Sequence, residues 1–295
     1  LRLRPVVAVV NNIDLEHLDH YRDLKEIREA FLQFANLVPF YGATILCLDD
    51  PNVREILPRI KRKVITYGLS TEADYRAEEI RSSGSSSRFS VLCRNVLLGT
   101  AKLNVPGLFN VYNALAAIAV AKEMDLTFPV IREGLQRFTG VQRRLEVRGE
   151  TRGVTVVDDY GHHPTEIRAT LTAAKQVWNG RIIVIFHPHR YTRTKALFKE
   201  FLTAFRDADL LIVTDIYAAS EEPIPGVTSK ALCEEICRAG HPNAIHFADF
   251  DAVLNHLMKI ARPTDIILTQ GAGSVWKVGD AFLKANERGL TDERG

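Results

Sequence analysis

The feature that most constrains this chain is the alternation in its second half. After Gly140, the apolar runs GVTVVDD, RIIVIF, DLLIVTD and DIILTQ alternate with segments of helical periodicity over about 164–177, 194–206, 229–238, 250–260 and 274–286. Apolar strands alternating with helices predict a mostly parallel α/β sheet covered by helices on both faces. In open sheets of this kind, ligands bind outside the carboxyl ends of the strands. DDYGHHP, HPHRYTRT, DIYAASEEPIPGVTS and QGAGS each follow one of the runs, so four polar loops share one rim.

The first half is less regular. RPVVAVVNNID reads as a buried strand ending in a polar loop, EIREAFLQFANLV as a helix, and ATILCLDDPN as a strand with a turn after it. ITYGLS, FSVLCRN and VLLGTAKLNV read as shorter strands around RSSGSSSR, a solvated loop or hairpin tip. NVYNALAAIAVAKEM and FPVIREGLQRF read as helices. The boundary falls near TGVQRR, giving two α/β domains, 1–140 and 141–295.

A net charge of +2 over 295 residues gives no reason to expect nucleic acid or an acidic membrane as partner, although local sites for acidic small molecules remain open. No apolar run approaches the length of about 20 residues needed to span a bilayer. LRLRPVVAVV lacks the features of a signal peptide and an initiator Met, so the chain reads as a piece of something longer. Cys47, Cys93, Cys233 and Cys237 follow no paired spacing, which suits a reducing, cytoplasmic setting. Cys233 and Cys237 lie one helical turn apart, but ALCEEICRAG offers no further ligand pair, and amphipathic-helix thiols are the reading.

Several constellations carry chemistry. In HPHRYTRT, Arg190 and Arg193 lie near a helix start with His187 and His189 beside them, a set suited to a carboxylate or phosphate. In DDYGHHPTE, Asp158 and Asp159 suit ribose hydroxyls or a metal, and His162 and His163 are donors for phosphate. The structural alternative is that Asp159 caps the helix opening at Pro164. QGAGS is a glycine turn that lets backbone N–H groups approach an anion. Asn110 and Asn113 sit one turn apart on a helix, with capping by Asn110 as the alternative. NNIDLEHLDHY gathers Asn12, Asp14, Glu16, His17 and Asp19, a set closer to Mg²⁺ or Mn²⁺ than to zinc, with solvated loop polarity as the alternative. The chain has no G-x-x-x-x-G-K-[ST] and no G-x-G-x-x-G after a strand.

Taken together, NIDLEHLD, GLFNVYNALAA, RRLEVRGE, DDYGHHPTEI, HPHRYTRT, PIPG and QGAGS resemble the Mur ligases, in the family's order along essentially the whole chain. DDYGHHPTE and PHRYTRT are the most specific, and are similar to the branch that adds L-alanine to UDP-N-acetylmuramate. The resemblance implies a partial central ATPase α/β domain, about 1–140, followed by a Rossmann-like, mostly parallel C-terminal domain. The sugar-nucleotide domain and the P-loop would lie upstream of Leu1, so the chain alone is expected to be inactive. It also implies ATP and Mg²⁺, and a reaction through an acyl phosphate that the L-alanine amine attacks. By matching motifs, His17 is implied as a Mg²⁺ ligand, and Asn110 and Asn113 as contacts at the adenine end. Arg143 or Arg144 would reach ATP across the domain cleft, and Asp158 or Asp159 would hold its ribose or the closed-domain geometry. Tyr160, His162, His189, Arg190 and Arg193 would orient L-alanine and the acyl phosphate. Two positions depart from the pattern: Phe31 stands near the lysine that several relatives carbamylate, and Asn11 stands where Thr is expected. The competing readings are a ligase recycling murein tripeptide and a non-catalytic nucleotide- or partner-binding module.

Overall fold

The computed structural model describes residues 3–17 and 20–292, with side chains described through Glu287. The chain divides into two units, Leu1–Thr139 and Gly140–Gly295.

Unit 1 runs β1 (Val7–Val10), α1 (Leu24–Asn36), β2 (Ala43–Cys47), α2 (Pro51–Ile56), β3 (Val64–Gly68), β4 (Tyr75–Ser83), β5 (Ser86–Cys93), β6 (Val96–Leu103), α3 (Leu108–Glu123) and α4 (Phe128–Arg137). Its six-stranded sheet keeps chain order. The first four strands are parallel and the β4–β5–β6 ribbon is antiparallel. Side chains of a strand alternate between faces, and β2 shows the consequence. Ile45 packs with Val111, Leu115 and Ile118 of α3, whereas its neighbour Leu46 packs with Ile27 and Leu32 of α1 and Val53 of α2. Of the two readings of RSSGSSSR, the structure shows the hairpin tip, mostly paired strand: Arg81 faces Arg88, Ser82 faces Ser87 and Ser83 faces Ser86. Only Gly84, at φ +54°, and Ser85 turn the hairpin. This ribbon is held by pairing, which is why a charged segment such as YRAEEIRSS makes a strand.

Unit 2 runs β7 (Glu146–Thr151), β8 (Val154–Asp159), α5 (Pro164–Val177), β9 (Ile182–Phe186), α6 (Tyr191–Ala196), α7 (Phe198–Phe201), β10 (Leu210–Thr214), α8 (Ser229–Arg238), β11 (Ala244–Phe247), α9 (Phe250–Ile260), β12 (Ile266–Gln270) and α10 (Trp276–Asp292). The sheet order is β11-β10-β9-β12-β8-β7, parallel except for β7 against β8. Ile183 and Ile185 of β9 face Val253 and Leu257 of α9 and Val278 and Phe282 of α10. Phe186 instead meets the rings of Phe201 and Phe205, so this sheet too is covered on both faces. The helix expected over 194–206 is a correction: the backbone leaves helical geometry at Leu197 (φ −106°, ψ 21°), giving two short helices that start earlier, at Tyr191. Because β12 returns between β8 and β9, the carboxyl ends of β8, β12, β9 and β10 stand side by side.

Candidate active-site rim

The rim begins where β8 ends. Asp158 and Asp159 are each 1% exposed, and both serve protein groups. Asp158 accepts from Arg143 Nε at 2.8 Å and from the Thr269 hydroxyl at 2.7 Å. Arg143 also donates through Nη2 to the Gly271 carbonyl at 2.7 Å, so one guanidinium ties β8 to the glycine turn after β12. Asp159 accepts from the N–H groups of Gly161 and Leu145 at 2.7 and 3.0 Å, and from Thr170 Oγ1 and Gln270 Nε2 at 3.2 Å each. Burial pushes the Asp159 carboxyl up, against these donors. Both aspartates thus hold the rim together from beneath.

Asp159 does not cap α5. The cap is His163, 5% exposed, whose Nδ1 accepts from the Thr165 N–H at 3.2 Å. Glu166 closes the capping box by accepting from the N–H groups of His163 and His162 at 3.2 and 3.0 Å. Burial works to raise the Glu166 carboxyl, but those N–H groups and the His162 and Arg144 charges hold it below the usual carboxylate range. His163 is therefore turned to its own helix.

Above this base lie Tyr160 and His162. The Tyr160 ring has the Arg143 guanidinium 4.9 Å from its centre and that of Arg144 at 5.8 Å, within cation–π range. Arg144, with a side chain 46% exposed, also pairs with Glu166 at 3.2 Å. His162 Nδ1 lies 3.2 Å from the Tyr160 carbonyl, and its ring is 5.6 Å from that of His189, joining the first polar loop to the second.

The second loop is organised by Arg193. Its Nη1 lies 2.9 Å from His189 Nδ1 and donates to the His189 carbonyl at 3.2 Å. A guanidinium only donates, so His189 Nδ1 accepts, and the neutral ring carries its proton on Nε2. Burial first, then the Arg193 charge, drives the His189 pKa down to about 4. The ring stacks on Tyr217 at 5.5 Å, while the Tyr217 backbone pairs with Pro188 and Arg190 at 2.8 Å each. Arg190 takes a left-handed φ of +71° and lies 3.8 Å from Glu221, which also accepts from Thr192. His187 is buried beneath, its pKa driven to about 4 by burial and its Nδ1 without a hydrogen-bond partner among the described residues. Beside it opens a cavity of about 600 Å³ lined by Tyr217, Asp215, Phe250 and Ser274.

In unit 1, Asn110 and Asn113 share a face of α3, linked by Asn113 Nδ2 to Asn110 Oδ1 at 3.3 Å. Asn110 is not the cap: that residue is Gly107, and Asn110 Nδ2 turns back to the Pro106 carbonyl at 2.7 Å. His17 is exposed, at φ +54°, and its carbonyl accepts from the His20 and Tyr21 N–H groups. Asp19 lies outside the described residues. Among the described residues no three His, Cys, Asp or Glu side chains converge as a metal site.

Sequence reasoning missed Glu166, Glu221 and Tyr217. The first had a signal in the His-x-x-Glu spacing of a capping box. The other two lie in DIYAASEEPIPGVTS, which the strand pattern placed at this rim, but nothing within that run singles them out.

A Rossmann-like unit with a histidine and arginine rim thus follows an α/β unit whose sheet is part parallel and part antiparallel. Residues 1–121 match the Mur ligase middle domain and residues 143–273 the Mur ligase glutamate ligase domain, and the chain belongs to the Mur ligase family. It is 58% identical over 283 residues to the UDP-N-acetylmuramate–L-alanine ligase of Syntrophus aciditrophicus, covering 96% of this chain and 59% of that protein. Among solved structures it resembles the UDP-N-acetylmuramate–alanine ligase of Thermotoga maritima, at 25% identity and TM-score 0.77, over 97% of this chain and 60% of that one. It also resembles a murein peptide ligase of Psychrobacter arcticus, at 26% identity and TM-score 0.67, over 96% and 58%. The chain thus spans about three fifths of the length of the relatives it matches.

Proposed function

We propose that this chain forms the later part of the ATP-binding domain, 1–140, and the C-terminal domain, 141–295, of a cytoplasmic ligase that joins L-alanine to UDP-N-acetylmuramate for peptidoglycan precursor synthesis. The observation that carries the substrate assignment is the 58% identity, over 96% of the chain, to a protein of that name. The rim supplies the chemical sense. The sugar-nucleotide carboxylate attacks the γ-phosphorus of ATP, ADP leaves, and an acyl phosphate forms. The L-alanine amine then attacks the acyl carbonyl, loses a proton, and phosphate departs with the carbonyl-to-oxygen bond. Such a sequence depends on fixed donors around spreading negative charge.

In this reading Arg190, Arg193, His162 and the Nε2–H of His189 hold the alanine carboxylate and the acyl phosphate, with Tyr160 orienting the first loop. Asn110 and Asn113 meet the adenine end of ATP. Arg144, the more exposed of the two arginines, takes the ATP-facing role, because Arg143 is held by Asp158 and Gly271. Asp158 and Asp159 support the rim geometry. Mg²⁺ would neutralise the ATP phosphates, and His17 would be one of the groups that hold it.

The test is phosphate release from Mg-ATP and UDP-N-acetylmuramate, offered L-alanine or murein tripeptide, by this chain alone and joined to the upstream part its relatives carry. Release only after joining, faster with L-alanine, is expected. Faster turnover with tripeptide identifies a recycling ligase, and no release from folded protein identifies a binding module.

A further inference from the structure

We propose that Asp49 and Tyr112 are positioning residues for the nucleotide: they set the rotation of α3 and with it the face that carries Asn110 and Asn113. The inference rests on reading those asparagines as nucleotide contacts. It starts from the composition of α3, LFNVYNALAAIAVAKE, whose buried residues Val111, Ala114, Leu115, Ala116, Ile118 and Ala119 spread around much of its circumference. An amphipathic helix is oriented by its one apolar stripe, and large side chains lock it by interdigitating with neighbours. A helix lined by alanines has neither constraint in full. Small rotations change little buried area, yet they swing a side chain at the helix surface by ångströms.

Directional contacts resist that rotation: the Lys63–Glu123 ion pair, at 2.6 and 2.7 Å, holds the far end of α3, and a second contact lies beside the asparagines. Tyr112 Oη donates to Asp49 Oδ2 at 2.9 Å. Asp49 follows β2, and its carboxylate also accepts from the Leu69 N–H at 2.5 Å and the Ser70 N–H at 3.1 Å, just beyond β3. The acceptor is therefore fixed to the sheet at two further points, and Tyr112 is fixed to the acceptor. Gly68 makes the arrangement possible, because a Cβ there would lie 2.8 Å from Asp49 Cγ and both carboxylate oxygens. Burial, and after it the hydrogen bond to Asp49, pushes the Tyr112 phenol up, so it keeps the proton it donates. Tyr112 precedes Asn113 and follows Asn110 by two positions, so at about 100° per residue its hydroxyl fixes the azimuth of both amides.

The experiment measures ATP affinity by calorimetry for the chain joined to the upstream part its relatives carry, and for four variants of it: Asn113→Ala, Tyr112→Phe, Gly68→Ala, and the Tyr112→Phe/Asn113→Ala double variant. Tyr112→Phe is expected to weaken ATP by about five-fold, and Gly68→Ala, which displaces the carboxylate without touching α3, by a similar factor. In the Asn113→Ala background Tyr112→Phe is expected to cost less than about 1.5-fold, since a positioning residue acts only through the group it positions. A merely structural role lowers thermal stability but gives the same change in affinity in both backgrounds. Tyr112→Phe binding ATP as wild type, or a full loss retained in the double variant, overturns the proposal while leaving Asn113 a nucleotide contact. Asn113→Ala binding ATP as wild type overturns the underlying assignment, and the proposal with it.

Discussion

Replacing Arg143 by Met removes the guanidinium that pairs with Asp158 while leaving a side chain of similar length. Asp158 is 1% exposed, and the Thr269 hydroxyl is the other donor to its carboxylate. Breaking a buried ion pair by deleting one partner costs about 3–5 kcal/mol, and the Arg143 side chain is 24% exposed, which places the loss near the lower figure, about 3 kcal/mol. The lost bond from Arg143 to the Gly271 carbonyl acts in the same direction. The assay is urea unfolding followed by tryptophan fluorescence, because both tryptophans, Trp178 and Trp276, belong to unit 2 and report on it alone. With a slope of about 2 kcal/mol per molar urea, the midpoint is expected to fall by about 1.5 M. Asp158→Asn in the same background should restore most of the loss, since the stranded charge is gone. A midpoint shift below about 0.5 M, or an equal cost of Arg143→Met beside Asp158→Asn, would refute the pairing as the basis of the rim.

Acidification should weaken unit 2 through its buried histidines. His187 and His189 both have folded-state pKa values of about 4, below the ordinary 6.5, so between these values the unfolded chain binds more protons and stability falls as pH falls. For His187, 6% exposed, the loss from pH 7 to pH 5 is about 2 kcal/mol, and His187→Phe should flatten the urea-midpoint profile; an unchanged profile removes His187 as its source. Nitrogen-15 NMR should find the His189 proton on Nε2 at pH 7, and Arg193→Ala should raise its pKa; a proton on Nδ1 contradicts the Arg193 contact. In protein joined to its upstream part, Arg193→Ala should lower kcat/KM for L-alanine by about 100-fold, near 3 kcal/mol, and unaltered alanine dependence makes Arg193 a surface group.

The legible parts of the sequence were those whose burial leaves a pattern. IIVIF and IILTQ are buried at every residue, as central parallel strands are, and such runs announce themselves. β7 and β11 lie at the sheet edges, and their residues are half-buried or mixed, so EVRGET and AIHF carry no such run. β4 bears charges and is held by its partner strand, information that lies a hairpin away. The same division holds at the rim. Once strand ends were placed, DDYGHHP and HPHRYTRT fell at one edge, but which residues face a ligand and which face the protein did not follow. Histidine 163 was readable as a donor and is a helix cap. Both aspartates were readable as ligand groups, as supports of the domain geometry or, for Asp159, as a helix cap; the structure shows each buried and bonded to protein donors, with the cap supplied by His163.

That division of labour has a physical reason. The rim gathers the guanidinium groups of Arg143, Arg144, Arg190 and Arg193, and like charges repel one another. Here the repulsion is offset by carboxylates that are themselves held: Asp158 lies beneath Arg143, Glu166 accepts from backbone N–H groups, and Glu221 accepts from Thr192 beside Arg190. His189 contributes by staying neutral. If protonated, its Nδ1 would carry a hydrogen and Arg193 could not approach it at 2.9 Å as a donor, so ring charge and arginine placement exclude each other. A neutral His189 holds Arg193 in place before any ligand arrives, and presents its own Nε2–H besides. Donors fixed in advance cost no reorganisation when charge develops, which is the condition under which they stabilise a transition state more than a ground state.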